Sequence, residues 1–334
     1  MFDLSRRRIT QALSAAVLVA VAGIATADTG SPGKSIRVGL LLSGFESTYP
    51  LAERAFLEGM REIGYVEGKN FVLERRYAHL QPQRMATVAK ELVDLNLDAI
   101  VTACTGSTRA VQRATARAPI VMASVADPVG QGFVRALARS GTNVTGRSSQ
   151  SRELVPKMLE LVHAAVPTAQ TISVFVNTLN TAHEPLWQDA VAAAPAQGIR
   201  LVRVEVRGPA DLDAALDTLA TLRVDALVVL PDDPMTHNLR GRLVAVANLR
   251  RLPAIFGMRE FVADGGLMSY GESFADTYRH AAAHVGKVVR GANPAELPIE
   301  QPTQFELVIN MKTAAALGLA VPKVLLLRAD ETIR

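Results

Sequence analysis

Small polar side chains recur in this sequence wherever an apolar run of strand length ends. Hydroxyl groups, and the backbone N–H groups at the start of a following helix, suit a carboxylate or another anion, because first-turn donors are unpaired and the helix dipole favours negative charge. Aspartate side chains in the same positions accept hydrogen bonds from an ammonium group. The set therefore predicts a binding site for a small zwitterionic solute. Its members are Ser43, Thr105, Gly106, Ser107, Asp127, Pro128, Asn177, Asp232 and Asp233.

Each of these residues has an alternative role as the cap of its own helix, and capping is the preferred interpretation of any single one. The recurrence favours a shared site, because the carboxyl ends of parallel strands lie at one edge of a sheet, where ligands gather. Four aromatic residues could supply apolar walls, although such residues are more often part of the core. They are Phe45, Tyr49, Phe256 and Tyr270.

The sequence lacks the common catalytic signatures. No G-x-G-x-x-G follows the first apolar strand, and neither a P-loop nor an H-E-x-x-H motif is present. Residues 267–271 lack the first glycine of a G-x-S-x-G elbow. Cys104 ends an apolar strand with no activating neighbour, so a buried thiol is favoured over a nucleophile. His280 and His284 stand four apart on a predicted helix, where they could bind Zn²⁺, but a solvated helix face explains them as well. We expect no metal, no cofactor and no catalytic residue.

Strand and helix patterns alternate along the whole chain, which indicates parallel sheets covered on both faces. The stretch from 121 to 147 is central: it predicts a buried strand over 121–125, a turn at Asp127 and Pro128, a helix over 131–139 and a strand over 143–146. The pattern restarts near residue 154. The fold class is therefore α/β, with two doubly wound parallel-sheet lobes joined by hinge crossovers.

The first residues read as a secretory signal peptide over 1–27. Three arginines at 6–8 precede an apolar stretch over 12–25, and Ala25, Thr26 and Ala27 match an A-x-A cleavage site. The arginine pair after Ser5 also fits a twin-arginine signal, so Sec or Tat export both stay open. Removal of the leader takes away three arginines and one aspartate and leaves a net charge of +2. Without a dense basic stripe, no nucleic-acid partner is expected.

Several motifs together resemble the ABC-transporter substrate-binding proteins of the TrpX/YtrP-like group, which have the type I periplasmic-binding-protein fold. The motifs span most of the chain after the leader, in the order FLEGM (56–60), GYVEGKN (64–70), ADPVG (126–130), NVTG (143–146), GGLMSYG (265–271), FELVIN (305–310), KTA (312–314) and ALG (316–318). The resemblance implies a two-lobed periplasmic protein that delivers its ligand to a membrane permease with a cytoplasmic ATPase. It also implies lobe segments of 35–146 with about 268–300, and 147–267 with about 301–334.

Better-known members of the group are similar in binding aromatic amino acids, through polar loops like Thr105-Gly106-Ser107, Asp127-Pro128 and the loop before Pro234. Where such members often place Ser-Asp after the Val-Thr-Gly crossover, this chain has Ser148 and Ser149. The missing carboxylate weakens the case for an amino-acid ammonium group. Ser148 completes the candidate ligand-binding residues.

The favoured hypothesis is a monomeric solute-binding component of an ABC importer that captures a small polar solute, such as an amino acid, between its lobes. One alternative is a ligand sensor for a signalling receptor. Another is an exported α/β enzyme that uses Asp127, Asp232 and Asp233 as acid or base.

Overall fold

The first strand buries both of its faces, as its continuous apolar run predicts. In the computed structural model, which describes residues 35–334, the strand Ile36–Leu42 directs Val38, Leu40 and Leu42 into one apolar cluster and Leu41 into another. Complete burial of one such leucine contributes about 2 kcal/mol. This strand is therefore held in the interior of a sheet that is covered on both sides.

The described chain is an alternation of strands and α-helices. The strands are β1 (Ile36–Leu42), β2 (Phe71–Tyr77), β3 (Ala99–Thr102), β4 (Ile120–Val125), β5 (Val144–Ser148), β6 (Thr171–Asn177), β7 (Arg200–Val206), β8 (Ala226–Val229), β9 (Ala254–Phe256), β10 (Met268–Gly271), β11 (Ile299–Glu300), β12 (Glu306–Asn310) and β13 (Glu331–Ile333). The helices are α1 (Pro50–Glu62), α2 (Pro82–Asp94), α3 (Thr105–Ala114), α4 (Ser151–Ala165), α5 (His183–Ala193), α6 (Leu212–Thr221), α7 (Pro234–Asn238), α8 (Arg240–Leu249), α9 (Arg259–Ala263), α10 (Phe274–Val289), α11 (Met311–Leu317) and α12 (Lys323–Arg328).

The strands form two sheets, and each sheet with its helices is a lobe. The first sheet has the order β11-β5-β4-β3-β1-β2, and all its pairs are parallel. The second has the order β13-β12-β10-β9-β8-β6-β7, and it is parallel except for the antiparallel pair β10 and β12. The two doubly wound lobes agree with the fold class that the sequence predicts.

Helices cover both faces of each sheet. In the first lobe, α1 and α10 share one apolar cluster with β1, whereas α2 and α3 lie on the opposite face. In the second lobe, α4 and α5 pack on one face, and α6 and α8 on the other. Helix α10 thus returns to the first lobe after the chain has built most of the second.

The chain passes between the lobes three times. The first crossing follows β5, which ends at Ser148 in the first sheet, and the second follows β10, which ends at Gly271 in the second sheet. The third follows β11, which ends at Glu300. After β11 the chain returns to the second sheet with β12.

The helix predicted over 131–139 is not present, and the segment is a series of turns instead. Its backbone folds back on the loop, with the N–H of Gln131 bonded to the Asp127 carbonyl and the N–H of Phe133 bonded to the Pro128 carbonyl. Gly132 has a φ of +72°, which no α-helix accommodates. Phe133 is completely buried, so this loop is held by packing and not by helical hydrogen bonds.

Helix α3 begins at Thr105, directly after Cys104. Cys104 is its N-cap, and the Ser107 hydroxyl accepts the Cys104 backbone N–H at 3.1 Å. Thr105, Gly106 and Ser107 are therefore the first helical turn, where N–H groups have no intrahelical acceptor.

The predicted signal peptide at 1–27 lies outside the described residues. None of the helices within residues 35–334 has the length and apolar character needed to cross a bilayer.

Candidate functional site

Two connected cavities lie between the lobes, at the carboxyl ends of strands from both sheets. The inner cavity has a volume of about 80 Å³ and is lined by residues that follow β3, β8, β9 and β10. The outer cavity has a volume of about 590 Å³ and is lined by the start of α3 and by loops after β6 and β8. Both are bordered by Cys104, Asp232, Asp233 and Pro234, so they form one continuous cleft.

One side of the inner cavity is aromatic. Tyr49, Phe274 and Tyr278 come from the first lobe, and His237 comes from the second. The His237 ring lies 5.0 Å from the ring of Phe274 and 5.8 Å from that of Tyr49, centroid to centroid. Burial lowers the pKa of His237 to about 3, so the imidazole is neutral at physiological pH. The rings of this wall meet mainly edge to face, and the wall is largely apolar and uncharged.

The Tyr278 hydroxyl belongs to this wall and has no hydrogen-bond partner within residues 35–334. The tyrosine is 1% exposed and lines the inner cavity. Burial raises the pKa of its phenol further above the usual range, so the group is an available neutral donor. A buried polar atom without a partner is costly unless a bound group satisfies it.

Asp232 supplies the carboxylate of the second lobe. Its backbone is in the left-handed region with a φ of +61°. The hydroxyls of Ser149 and Ser151 both donate to its Oδ2, the former at 2.7 Å. The surrounding protein raises the pKa of Asp232 by desolvation, against the two serine hydrogen bonds, which lower it. The first crossing segment therefore holds this carboxylate in place at the cavity wall.

Glu272 supplies a second carboxylate from the opposite side. It follows β10 at the second crossing, and its Oε1 accepts a hydrogen bond from Ser124 Oγ at 2.5 Å. Its Oε2 lies 3.7 Å from Arg147 Nη1, which is too long for a hydrogen bond. Burial raises the pKa of Glu272 to about 7, and the nearby Asp232 charge raises it further, whereas Ser124 and Arg147 oppose the shift.

Asp233 and Asn177 lie at the cavities while also stabilising their own loops. Asp233 Oδ1 caps α7 by accepting the Met235 N–H at 3.2 Å, and the Asn177 amide donates to the same carboxylate at 3.1 Å. The Asn177 N–H in turn donates to His183 Nδ1 at 2.9 Å, which leaves Nε2 as the protonated nitrogen. Asp233 is therefore the cap of α7, whereas Asn177 Oδ1 accepts the Leu179 N–H in the turn after β6 and caps no helix. Both residues line the outer cavity as well.

The first lobe contributes Ser43, Thr105 and Gly106 to the outer cavity. Ser43 Oγ lies 3.0 Å from Cys104 Sγ at the floor of the cleft. Thr105 is 3% exposed, and its hydroxyl has no hydrogen-bond partner in the described part of the chain. Ser107 differs, because its hydroxyl bonds to the Cys104 backbone and its side chain lines neither cavity. The start of α3 thus presents free donors to the cleft.

Four further candidates lie away from both cavities. Asp127 accepts the Gly130 N–H at 2.9 Å and approaches Arg152 to 3.6 Å on the outer surface. Pro128 is buried in the same loop. Tyr270 packs against Phe305 with ring centroids 6.0 Å apart, in the apolar cluster of the second lobe.

The last of the four is Ser148, which is buried within β5, whereas the next residue, Ser149, lines the inner cavity. Adjacent residues on a strand point to opposite faces, so a shift of one position changes which side chain reaches the cleft.

Phe45 borders the cleft without lining a cavity. Its ring is 42% exposed and stacks on His79 with centroids 5.3 Å apart. Its backbone N–H donates to Asn238 Oδ1 of the second lobe at 3.2 Å. The same Oδ1 accepts from Thr48 Oγ1 at 2.6 Å, and Asn238 Nδ2 donates to the Tyr49 hydroxyl at 3.1 Å. These three interlobe hydrogen bonds hold the lobes together at this edge.

Sequence reasoning missed several residues of the inner cavity, and Glu272 is the most informative. It follows the end of β10 directly, so the rule that selected the other polar residues would have selected it too. The remaining missed polar residues are Ser124, Ser149, Ser151, His237, Thr277 and Tyr278. Most of them lie inside regular elements, where a serine or tyrosine gives no signal in the sequence.

The residues described contain no group of three or more histidine, cysteine, aspartate or glutamate side chains placed to hold a metal ion. His280 and His284 instead approach one carboxylate, that of Glu300, to 3.7 and 3.5 Å. Lys287 reaches the same carboxylate at 2.8 Å. The ammonium group of Lys287 thus supplies the positive charge beside the Glu300 carboxylate that a metal ion would otherwise supply.

Two α/β lobes joined by three crossings, with a polar cleft between them, define a two-lobed binding protein. The chain belongs to the family of ABC transporter substrate binding proteins, whose family model matches residues 47–333. This is a family of substrate-binding proteins and not an enzyme family.

Known relatives agree with this assignment. A tyrosine-binding protein from Clostridioides difficile (strain R20291) is 26% identical over 286 residues, which cover 85% of this chain and 82% of the relative. A conserved domain protein from Vibrio cholerae O1 biovar El Tor is 27% identical with a TM-score of 0.83, and covers 90% of this chain and 100% of that one. The ABC domain of Streptococcus pneumonia in complex with L-Trp is 24% identical with a TM-score of 0.84, at the same coverage.

Proposed function

We propose that this chain is the solute-capturing component of an ABC importer, and that its ligand is an amino acid or a related compound with an ammonium group. The observation that carries the proposal is the inner cavity, where carboxylates and an aromatic wall line the same space. The family assignment and the tyrosine-binding and tryptophan-bound relatives support the same ligand class.

The charges around the cleft suit a zwitterion. Asp232, Asp233 and Glu272 border the inner cavity, and Arg147 is the cation in contact with this group. An ammonium group would offset the excess of negative charge and donate hydrogen bonds to the carboxylate oxygens. A ligand carboxylate would find first-turn N–H groups and the free Thr105 hydroxyl at the start of α3.

Aromatic amino acids fit the remaining wall. Tyr49, Phe274 and the neutral His237 present ring surfaces that a flat side chain can stack against or meet edge to face. The unpartnered Tyr278 hydroxyl offers one further polar contact. The chemistry favours a solute with one cationic group and a planar apolar part.

Capture requires the lobes to separate and close around the ligand. We propose that residues 35–148 with 272–300 move as one body, and 149–271 with 301–334 as the other, about the three crossings. The interlobe contacts of Asn238 then belong to the closed arrangement. Ligand contacts to both lobes would shift an open–closed equilibrium toward closure.

The cellular setting follows from the family. The proposal includes export to the periplasm by the leader at 1–27, delivery to a membrane permease, and import driven by a cytoplasmic ATPase. Deletion of the leader with a fused periplasmic reporter tests the first element. Loss of reporter activity is expected, and unchanged export would contradict the proposed location.

The test of ligand capture is a thermal-shift screen of residues 28–334 against the twenty amino acids and a set of sugars and polyols. Binding of one solute raises the melting temperature by an amount that grows with concentration. Asp232→Asn should weaken that shift, whereas Asp127→Asn is the matched control because Asp127 lies outside both cavities. The proposal fails if no solute changes the melting temperature and solution scattering is the same with and without every solute.

A further inference from the structure

Glu272 occupies the joint between the lobes. It lies between β10 of the second sheet and α10 of the first lobe. Its contacts are with Ser124 on β4 and Arg147 on β5 of the first sheet, and it lines the same cavity as Asp232. A side chain in this position touches the ligand site and both moving parts of the protein.

The polar contacts around Glu272 are incomplete. Glu272 Oε2 and Arg147 Nη1 are both buried, and neither has a hydrogen-bond partner within residues 35–334. On the same cavity, the Tyr278 hydroxyl is also unpartnered although the residue is 1% exposed. Buried unsatisfied groups cost free energy, so a bound ligand that completes them gains affinity from each.

The charges that face Glu272 are Arg147 from β5 and Asp232 from the loop after β8, with Ser124 of β4 as the neutral donor. Helix α10 contributes Phe274, Thr277 and Tyr278 to the cavity, and all three are neutral. The other titratable groups that line it are Asp233, Tyr49, Cys104 and the neutral His237.

We propose that Glu272 is the second carboxylate for the ammonium group of the ligand, opposite Asp232, and that it releases a proton when the ligand binds. The inference rests on the proposed function and names the groups that recognise the cation. When Glu272 is ionised, Arg147 approaches it at 3.7 Å, and the Asp232 and Asp233 carboxylates that line the same cavity leave an excess of negative charge that a cation would offset. An ammonium group supplies this positive charge and the hydrogen-bond donors that Glu272 Oε2 lacks.

Burial of the Glu272 carboxyl group explains why a proton is released when the ligand binds. In the lobe arrangement of the structure, Glu272 has a pKa of about 7, so it is largely protonated at pH 6 when no cation lies beside it. A cation beside the carboxylate stabilises the ionised form, so the proton passes from Glu272 to the buffer on binding. For one such group, affinity for the cation rises about tenfold between pH 6 and pH 8 and then levels off. The ligand ammonium stays charged over this range, so Glu272 is the group that titrates.

The experiment uses three probes: L-tyrosine, tyramine, which keeps the ammonium group without the carboxylate, and 3-(4-hydroxyphenyl)propionate, which keeps only the carboxylate. Titration calorimetry at each pH in two buffers of different ionisation enthalpy, phosphate and bis-Tris at pH 6 and phosphate and Tris at pH 8, gives the affinity and the number of protons released. The variant is Glu272→Gln, and the matched control is Glu260→Gln. Glu260 is also buried with a raised pKa and unpartnered oxygens, but it lines neither of the two cavities.

In the wild type and in Glu260→Gln, L-tyrosine is expected to bind about tenfold more tightly at pH 8 than at pH 6, with most of one proton released at pH 6. Glu272→Gln is expected to lose both effects and to bind L-tyrosine about tenfold more weakly at pH 8. Tyramine should follow L-tyrosine in its pH dependence, and the propionate should not.

Three results would overturn the inference: unchanged proton release in Glu272→Gln, equal affinity for the propionate and L-tyrosine, or no binding of either ammonium-bearing probe at pH 8. The proposed function fails separately, because it requires only that some solute of the wider screen binds and closes the lobes.

Discussion

The Asn238 side chain is the clearest place to test whether lobe contact sets affinity. It ends α7 in the second lobe and makes three hydrogen bonds to Phe45, Thr48 and Tyr49 of the first lobe, at 3.2, 2.6 and 3.1 Å. It also donates to the Pro234 carbonyl within its own lobe at 2.7 Å. Asn238→Ala removes all three interlobe bonds while leaving the apolar cores unchanged.

The size of the effect can be worked from these contacts. A hydrogen bond contributes a net ~0.5–1.5 kcal/mol, so three give ~1.5–4.5 kcal/mol. The bond to Phe45 is solvent-exposed, and water replaces all three in the open form, so the lower part of the range applies. A loss of ~2 kcal/mol corresponds to a change of ~30-fold in the closing equilibrium. If the ligand-free protein is mostly open, the whole factor appears in the dissociation constant.

Titration calorimetry with the solute found in the screen measures that factor, and small-angle scattering of the ligand-bound protein measures closure. The matched control is Asn248→Ala, because the Asn248 amide bonds only to the Gly265 carbonyl within the second lobe. We expect weaker binding by about 30-fold for Asn238→Ala and almost none for the control. Equal affinities for the two variants would refute the argument that these contacts belong to the closed, ligand-holding arrangement.

Three further predictions follow from single positions. Gly44→Ala should weaken binding without changing ligand-free stability, because the added methyl group would overlap the Asn238 amide only when the lobes meet; calorimetry beside thermal melting checks this. With the lobes closed and no ligand bound, the raised pKa of Glu272 favours the folded state at low pH. That contribution is lost as the pH rises from about 4.5 to about 7. Urea unfolding should therefore show a fall on the order of 3 kcal/mol between pH 5 and pH 8, absent in Glu272→Gln. Asp127→Asn should change the dissociation constant of the ligand by no more than about threefold, because Asp127 pairs with a half-exposed Arg152 on the surface. A tenfold loss of affinity would instead place Asp127 in the binding site.

Much of the fold was predictable because apolar periodicity dictates it. Strand Ile36–Leu42 and strand Phe71–Tyr77 have the bounds that their apolar residues predict, and the restart of the pattern near 154 marks the second lobe. The segment at 131–139 was not predictable in the same way. Its residues permit a helix locally, but burial of Phe133 and the left-handed Gly132 hold it in turns.

The site was predictable only as far as strand ends determine it. Ser43, Thr105 and Asp232 follow strands of two sheets whose carboxyl ends meet, so the chain order alone brings them to one cleft. At the end of a strand, a shift of one position decides which face of the sheet a side chain occupies. Ser148 and Ser149 differ in this way, and no sequence signal separates two adjacent serines on a strand that is buried on both sides.

Ser149 stands where the resemblance to the TrpX/YtrP-like group would lead one to expect an aspartate. Its hydroxyl and that of Ser151 both donate to Asp232, so the crossing segment orients an acid from the second lobe instead of supplying one. Glu272, from the second crossing, brings another carboxylate to the same cavity. The site therefore keeps two acidic groups on opposite sides, and an ammonium ligand remains well matched although residue 149 is not acidic. Glu272 lies at the crossing between β10 and α10 and not within a strand. We therefore expect its ionisation to be coupled to the approach of the lobes. An acidic residue at position 149 would not produce this coupling.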